Sequence, residues 1–298
     1  MLLRPFAAIA FLTTLAAGLT PMAAGQNLSG VIDIHAHADP DGMARSIDAI
    51  ELARLAKASG MRGMVLKNHY ESTAGLAWLV RKEVPGLEVF GGIALNLPVG
   101  GINPAAVEWM LKVKGGFGRV VWMPTYDSQH HVTSQREQRP FVAVSKDGKL
   151  LPAVVQVISI VAKNKLTLAT GHSSPEEALM IIREAKRQGV EHIVVTHATN
   201  RFVGMSVAQM REAAKLGALL EFVWVSPGTA AVAETAKAIG DVGAEFCILS
   251  SDLGQAANPL HPAGLQAFFQ DLKKHGLTDT QINLMSKTNP AKLLGLTP

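Results

Sequence analysis

Five side chains in this sequence have the types and the placement to share a divalent metal ion. His35 and His37 stand one residue apart in His35-Ala36-His37, His172 follows Gly171, His197 follows Thr196, and Asp252 follows Ser251. Imidazole nitrogens are borderline donors and a carboxylate oxygen is a hard one, a mixture that suits zinc or a similar first-row ion. Such an ion lowers the pKa of water from about 15.7 to about 7 and polarises a carbonyl or phosphoryl oxygen. A His-x-His pair alone is a weak signal, shared by many polar turns. Read singly, His172 could cap the helix that Ser174 opens, His197 could be a satisfied core histidine, and Asp252 could start a turn. Together they fall at the ends of four separate apolar runs, which makes a common site the stronger reading.

Those runs are the elements that must position the site. Apolar, β-favouring segments at 31–37, 63–69, 88–96, 119–127, 166–172, 192–198, 218–224 and 247–252 alternate with helix-like stretches. Eight such βα units predict a (β/α)₈ TIM barrel, whose active site lies at the C-terminal ends of its strands. Helices are expected from Arg45 to Ser59, from Asn103-Pro104 to about Lys114, and from Ser174-Pro175 to about Gln188, the last with Ser174 and Glu177 as a capping box. Three more are expected over Ser206–Leu216, Thr229–Ile239 and Pro262–His275. The long connection from Asp127 to Leu150 carries Lys146-Asp147-Gly148-Lys149, a turn that predicts a small hairpin over the barrel mouth.

Strand alternation turns Asp33, His35 and His37 to one face, with Asp33 deepest. It also turns Lys67 and His69 to one face at the end of the second strand. An inward lysine in an apolar strand is costly unless it is modified, paired or neutralised, so Lys67 is expected either to join the metal site or to pair with Asp252 or Glu221. His69 is expected to orient substrate or stabilise a developing oxyanion. His130, His131 and Tyr70 read as loop residues with no catalytic role, His261 as a residue near the rim, and His192 and His275 as surface positions.

The histidine pair on the first strand, single histidines after the fifth and sixth, and an aspartate after the eighth resemble the amidohydrolase superfamily along essentially the whole of residues 26–298. The closing Thr288-Asn289-Pro290-Ala291-Lys292-Leu293-Leu294 is similar to that superfamily's final segment, where a helix begins at Asn-Pro and packs beneath the barrel. The resemblance implies a hydrolytic centre with one or two divalent ions, zinc being expected. His35 and His37 would hold the buried ion, His172 and His197 would hold or flank the exposed one, and Asp252 would accept the proton of water and pass it to the leaving group. One departure stands out: the fourth strand, 119–127, has no lysine or glutamate where a bridging carboxylate would sit. Either the centre holds one ion or a carboxylated Lys67 supplies the bridge. The expected reaction is hydrolysis of an amide, lactone or ester in a small organic molecule. The alternatives are a mononuclear decarboxylase or lyase of the same superfamily, and an exported metal-binding protein without turnover.

Bulk properties fit an exported single-domain enzyme. Residues 1–25 place Arg4 before an apolar run and end in Ala23-Ala24-Gly25, the pattern of a cleavable signal peptide, broken by Gly18, Thr20 and Pro21 and too short for a stable membrane anchor. The expected location is the periplasm. Cys247 is the single cysteine, so no intrachain disulfide forms, and its apolar surroundings in sequence point to a buried strand position. The formal charge is +4, of which Arg4 contributes one, and no basic cluster is interleaved with aromatics, so a nucleic-acid partner is not expected. A small-molecule substrate is expected, and a homo-oligomer is compatible with the sequence.

Overall fold

The structure is a computed structural model that describes residues 28–297. The signal-peptide expectation for residues 1–25 lies outside the described residues.

Eight parallel strands form the barrel: β1 (Ile32–Ala36), β2 (Gly63–Leu66), β3 (Glu88–Ala94), β4 (Gly118–Trp122), β7 (Thr167–Ala169), β8 (His192–Val195), β9 (Leu219–Val223) and β10 (Cys247–Ser250). Between β4 and β7 the two-residue strands β5 (Ser145–Lys146) and β6 (Lys149–Leu150) pair antiparallel, as the turn residues predict. Asp147 and Gly148 both adopt positive φ there, at 51° and 72°. The bridge Ala36↔Leu253 brings β1 against the segment after β10 and closes the ring. This is the expected (β/α)₈ barrel.

Two hydrophobic layers hold it. Ile32, Ile34, Val65, Phe90, Val120, Trp122, Val194 and Ile248 fill the barrel interior, joined from below by Ala291, Leu293 and Leu294. The larger layer lies between sheet and helices, where Leu52, Val107, Val157, Ile181 and Phe268 are fully buried. Fully burying one such side chain contributes about 1.5–3 kcal/mol.

Helix starts follow their caps. Ser174 and Glu177 form the expected capping box on Pro175–Arg187, and Asn103 caps Pro104–Lys112. The first helix begins at Ala49 and not near Arg45, because the Asp48 carboxylate accepts from the N–H groups of Ile50 and Glu51 and sets the N-terminus there. Arg45 is thereby left in the loop, where it pairs with Asp41. The final segment does pack beneath the barrel: Thr167 Oγ1 donates to the Leu293 carbonyl, and Asn289 Nδ2 donates to the Cys247 carbonyl at 2.8 Å. Asn289-Pro290 does not open that helix, however. The helical run continues from Asp279 through a π-turn at Leu284–Thr288 into Asn289–Leu293, and the widened turn precedes the proline, whose missing N–H leaves one carbonyl without its usual donor.

The first strand also departs from strict alternation. Ile32 and Ile34 face the barrel interior, which by period 2 would turn His35 outward. The pairing of β1 with β2 shifts register between Asp33 and Ala36, and this irregularity swings His35 to the inside. Asp33 therefore does not share the cavity face with the histidines. Its Oδ1 accepts from the N–H groups of His35 and Ser251, tying β1 to the end of β10.

Candidate metal centre

At the C-terminal mouth of the barrel the structure gathers His35, His37 and Asp252 into one group of ligand atoms. His172 and His197 stand beside it, with Nε2 atoms 3.2 Å apart. Lys67 joins through Nζ, 2.9 Å from His35 Nε2. Lys67, His69, His172, His197 and Asp252 all line one cavity of about 210 Å³, walled by Tyr126, Phe202 and Trp224.

Backbone conformations at the site are unusual and are held in place. His197 and Asp252 have φ of 27° and 50°, in the left-handed region that L-residues avoid. The N–H of His197 donates to Glu221 Oε2 at 2.8 Å, and the N–H of Asp252 donates to the His35 carbonyl at 2.8 Å. Gly171, with φ of 63°, precedes His172, and a Cβ there would sit 2.2 Å from the Met123 carbonyl oxygen. Only glycine fits, and the close approach of that backbone fixes where His172 emerges.

Protonation follows from burial and neighbours. Burial opposes charge on His35, but the Asp252 and Glu221 carboxylates raise it to about 9. Burial lowers His37 to about 3 and His197 to about 4, and holds His69 and His172 well below the usual histidine range. For Lys67, burial brings the ammonium down to about 8. Burial would raise Asp252 and Glu221, yet the His35 charge and its hydrogen bonds prevail, leaving Asp252 well below the carboxylate range and Glu221 at about 2. Asp33, fully buried, is raised to about 6.

One contact tests whether these residues suit a cation. His37 Nδ1 lies 2.6 Å from the Lys67 carbonyl oxygen, which can only accept, and 3.3 Å from Arg45 Nη2; the much shorter contact to the obligate acceptor favours the ring proton on Nδ1. Its Nε2 lone pair then faces the ionised Asp252 Oδ1 at 3.0 Å. The same oxygen also lies 3.0 Å from the charged His35 ring at Nε2, but the His37 lone pair still confronts an ionised acceptor in a buried site, an arrangement that a cation between them would relieve. Two ligand atoms each about 2.0–2.1 Å from one zinc ion lie about 2.8–3.4 Å apart at coordination angles of about 90–109°. The 3.0 Å edge and the 3.2 Å edge between His172 and His197 both fit that range.

A family model described as a family of unknown function (DUF6282) matches residues 30–221. The chain belongs to this family. The match includes His35, His37, Lys67, His69, His172, His197 and Glu221 and stops short of Asp252. No curated protein matches the chain. Among solved structures, the DUF6282 protein is similar to an amidohydrolase from Pseudomonas aeruginosa, with a TM-score of 0.62 and 12% identity over 89% of this chain and 95% of that one. It is also similar to a zinc-bound amidohydrolase from Burkholderia multivorans, with a TM-score of 0.61 and 11% identity over 90% and 99% of the two chains. A 2,6-dihydroxybenzoate decarboxylase from Rhizobium aligns with a TM-score of 0.54 and 12% identity over 90% and 99%. The DUF6282 barrel thus has the fold of amidohydrolase structures, hydrolases and a decarboxylase among them.

Several residues around the DUF6282 site were not legible as site residues. Glu221, expected only as a partner for Lys67, instead accepts from His35 Nδ1 at 3.1 Å, from Ser250 Oγ at 2.6 Å and from the His197 N–H. Among the described residues Lys67 makes no direct ion pair with Glu221 or Asp252; its polar contact is His35. His131, read as a solvated loop histidine, is 3% exposed, with Nδ1 3.0 Å from His172 Nδ1. It sits on the short helix Gln129–Ser134, whose Ser128 cap is the local signal that could have placed it. His261 is buried, with both ring nitrogens lacking a partner among the described residues. His275 is exposed and His192 half-buried.

Proposed function

We propose that this protein is a metal-dependent hydrolase acting on an amide, lactone or ester bond of a small organic molecule. The facing acceptors His37 Nε2 and Asp252 Oδ1 carry the reading. His35, His37 and Asp252 would hold one ion, His172 and His197 a second, with zinc the metal their donor set favours. When bound, a divalent ion here activates water and polarises the scissile carbonyl.

The chain's own residues supply the rest. Asp252 is ionised and keeps 21% of its side chain open to the cavity, so Oδ1 and Oδ2 can take a proton from water and return it to the leaving group. His69 faces the same space, and Tyr126, Phe202 and Trp224 limit the entry of bulk water. At about 210 Å³ the cavity suits a small substrate. Lys67, lowered to about 8, has free amine available near neutrality. Addition of that amine to carbon dioxide forms an N–C bond, releases one proton and leaves a carbamate with two oxygens, the bridge that β4 lacks. The leader-like residues 1–25 support the periplasm as the place of action.

A second reading, a mononuclear decarboxylase or lyase, is favoured by one observation. His35, His37 and Asp252 form a complete three-ligand group without His172 or His197, and β4 runs out into Met123-Pro124 with no carboxylate. Elemental analysis of the purified mature protein and of Lys67→Met, both prepared with bicarbonate, separates the two. Two ions falling to one or none in the variant supports the bridged hydrolase. One ion in both supports the mononuclear lyase, and no metal in either refutes the proposal.

A further inference from the structure

His69 has one nitrogen committed. Its Nδ1 lies 2.9 Å from Thr125 Oγ1, and its Nε2 has no protein partner among the described residues. What Nδ1 does there depends on where the Thr125 hydroxyl proton goes, and Asn96 determines that.

The orientation of the Asn96 amide is fixed by its neighbours. Oδ1 accepts from the backbone N–H of Thr125 at 2.8 Å and of Asp127 at 3.3 Å, so the other end is the donor. Nδ2 spends both protons, one on the His69 carbonyl at 2.7 Å and one on Thr125 Oγ1 at 2.7 Å. Thr125 Oγ1 therefore already accepts once, and its own proton needs an acceptor. The acceptor within reach is His69 Nδ1. Were Nδ1 to carry the ring proton instead, Thr125 would accept twice and its hydroxyl proton would be buried without a partner, in a residue that is 0% exposed.

We infer that Asn96 and Thr125 form a positioning relay that fixes His69 as the Nε2–H tautomer, presenting a hydrogen-bond donor to the cavity. A ring so fixed is not a metal ligand and not a general base. It serves an acceptor oxygen of the bound molecule, and under the proposed hydrolase reading that oxygen is the one on which negative charge develops. The inference rests on that reading only for the use of the donor; the tautomer stands on the hydrogen-bond network alone. Asn96 lies just after β3 and Thr125 just after β4, so the relay ties three neighbouring strand ends to one ring.

Nitrogen NMR of the ¹⁵N-histidine-labelled mature protein tests it, with the His69 signals assigned by their loss in His69→Gln. In the wild type and in Thr125→Ser, His69 should show a protonated Nε2 and a bare Nδ1. Thr125→Val, which keeps shape and removes the hydroxyl, should convert the ring to a mixture of tautomers, with the fold verified by unchanged circular dichroism. A proton on Nδ1 in the wild type overturns the inference, and so does a Thr125→Val ring that keeps the wild-type tautomer. Should Thr125→Val fail to fold, Asn96→Asp keeps the test open. Its carboxylate cannot donate to Thr125, so the Nε2–H preference should weaken there, and an unchanged tautomer again overturns the inference. If the tautomer is as inferred while metal content is nil, the hydrolase reading fails and the relay survives.

Discussion

Replacing Glu221 with glutamine should weaken metal binding without unfolding the barrel. The carboxylate accepts from His35 Nδ1 and Ser250 Oγ on one oxygen and from the His197 N–H on the other. A glutamine keeps one oxygen, and its amide must face donors at one of the two edges. Ser250 can rotate its hydroxyl to accept from the new amide, whereas a backbone N–H cannot, so the surviving oxygen should stay on His197. His35 then loses its closest acceptor and keeps only the longer contact, 3.3 Å to the Oε2 position. A hydrogen bond to a charged group contributes about 1.5–3 kcal/mol, and loss of an outer partner of a metal-bound histidine typically costs about 10–100-fold in affinity. We therefore expect zinc affinity to fall about 10- to 100-fold, or about 1.4–2.7 kcal/mol. Competition against a chromophoric chelator measures this, with near-UV circular dichroism as the check on folding. A folded Glu221→Gln protein that binds zinc as tightly as wild type would refute the assignment of Glu221 as the residue that orients His35.

Three further outcomes follow from the same geometry. His35 is raised to about 9 in the metal-free protein, so its charged form adds stability that is fully present below the unfolded value of 6.5 and is lost as pH rises through about 9. Zinc needs that nitrogen bare, so the zinc-induced rise in Tm should grow across the same window, and a shift independent of pH would contradict the His35 assignment. Gly171→Ala would place a Cβ 2.2 Å from the Met123 carbonyl oxygen at a φ of 63°, displacing His172; a bound-metal count or affinity equal to wild type would show that His172 is not a ligand. Burial raises the Cys247 thiol to about 12, so thiol reagents near pH 8 should leave the native protein unlabelled and modify it only after unfolding.

The barrel was readable because its signals are local. Apolar runs such as 192–198 and 247–252 report strands by composition, Ser174 and Glu177 report a helix start, and Asp147-Gly148 reports the hairpin, each within a few residues. The site was readable to the extent that strand ends mark it, which is how His35, His37, Lys67, His69, His172, His197 and Asp252 could be named together. Orientation was less accessible. The register shift after Asp33 that turns His35 inward arises from pairing with β2, so period-2 reasoning alone misplaces Asp33. Glu221 reads as a charged residue in an apolar strand, and its link to His35 spans 186 positions. Likewise His131 meets His172 across 41 positions, and the one local sign that separates it from the half-exposed His130 is the Ser128 cap, which marks a helix start and not a site.

The site histidines follow one physical rule, and its exception shows where the fold spends strain. In His35, His37, His69 and His172 the Nδ1 atom is engaged by a protein group: Glu221, the Lys67 carbonyl, Thr125 and His131 in turn. The Lys67 carbonyl and Thr125 select a tautomer, Glu221 takes the Nδ1 proton of His35, and His131 holds the His172 ring without deciding which nitrogen carries the proton; in each case Nε2 is left toward the centre. The Thr125 case differs in sign, since a hydroxyl that donates leaves Nε2 protonated, and that separates His69 from the metal-facing rings. His197 has no partner for Nδ1 among the described residues. Its ring is placed through the main chain instead, by the Glu221 bond to its N–H at a φ of 27°. Glu221 thus sets two histidines by two routes, one through a ring and one through a strained backbone, and this is why a single carboxylate inside the barrel should govern the affinity of the whole centre.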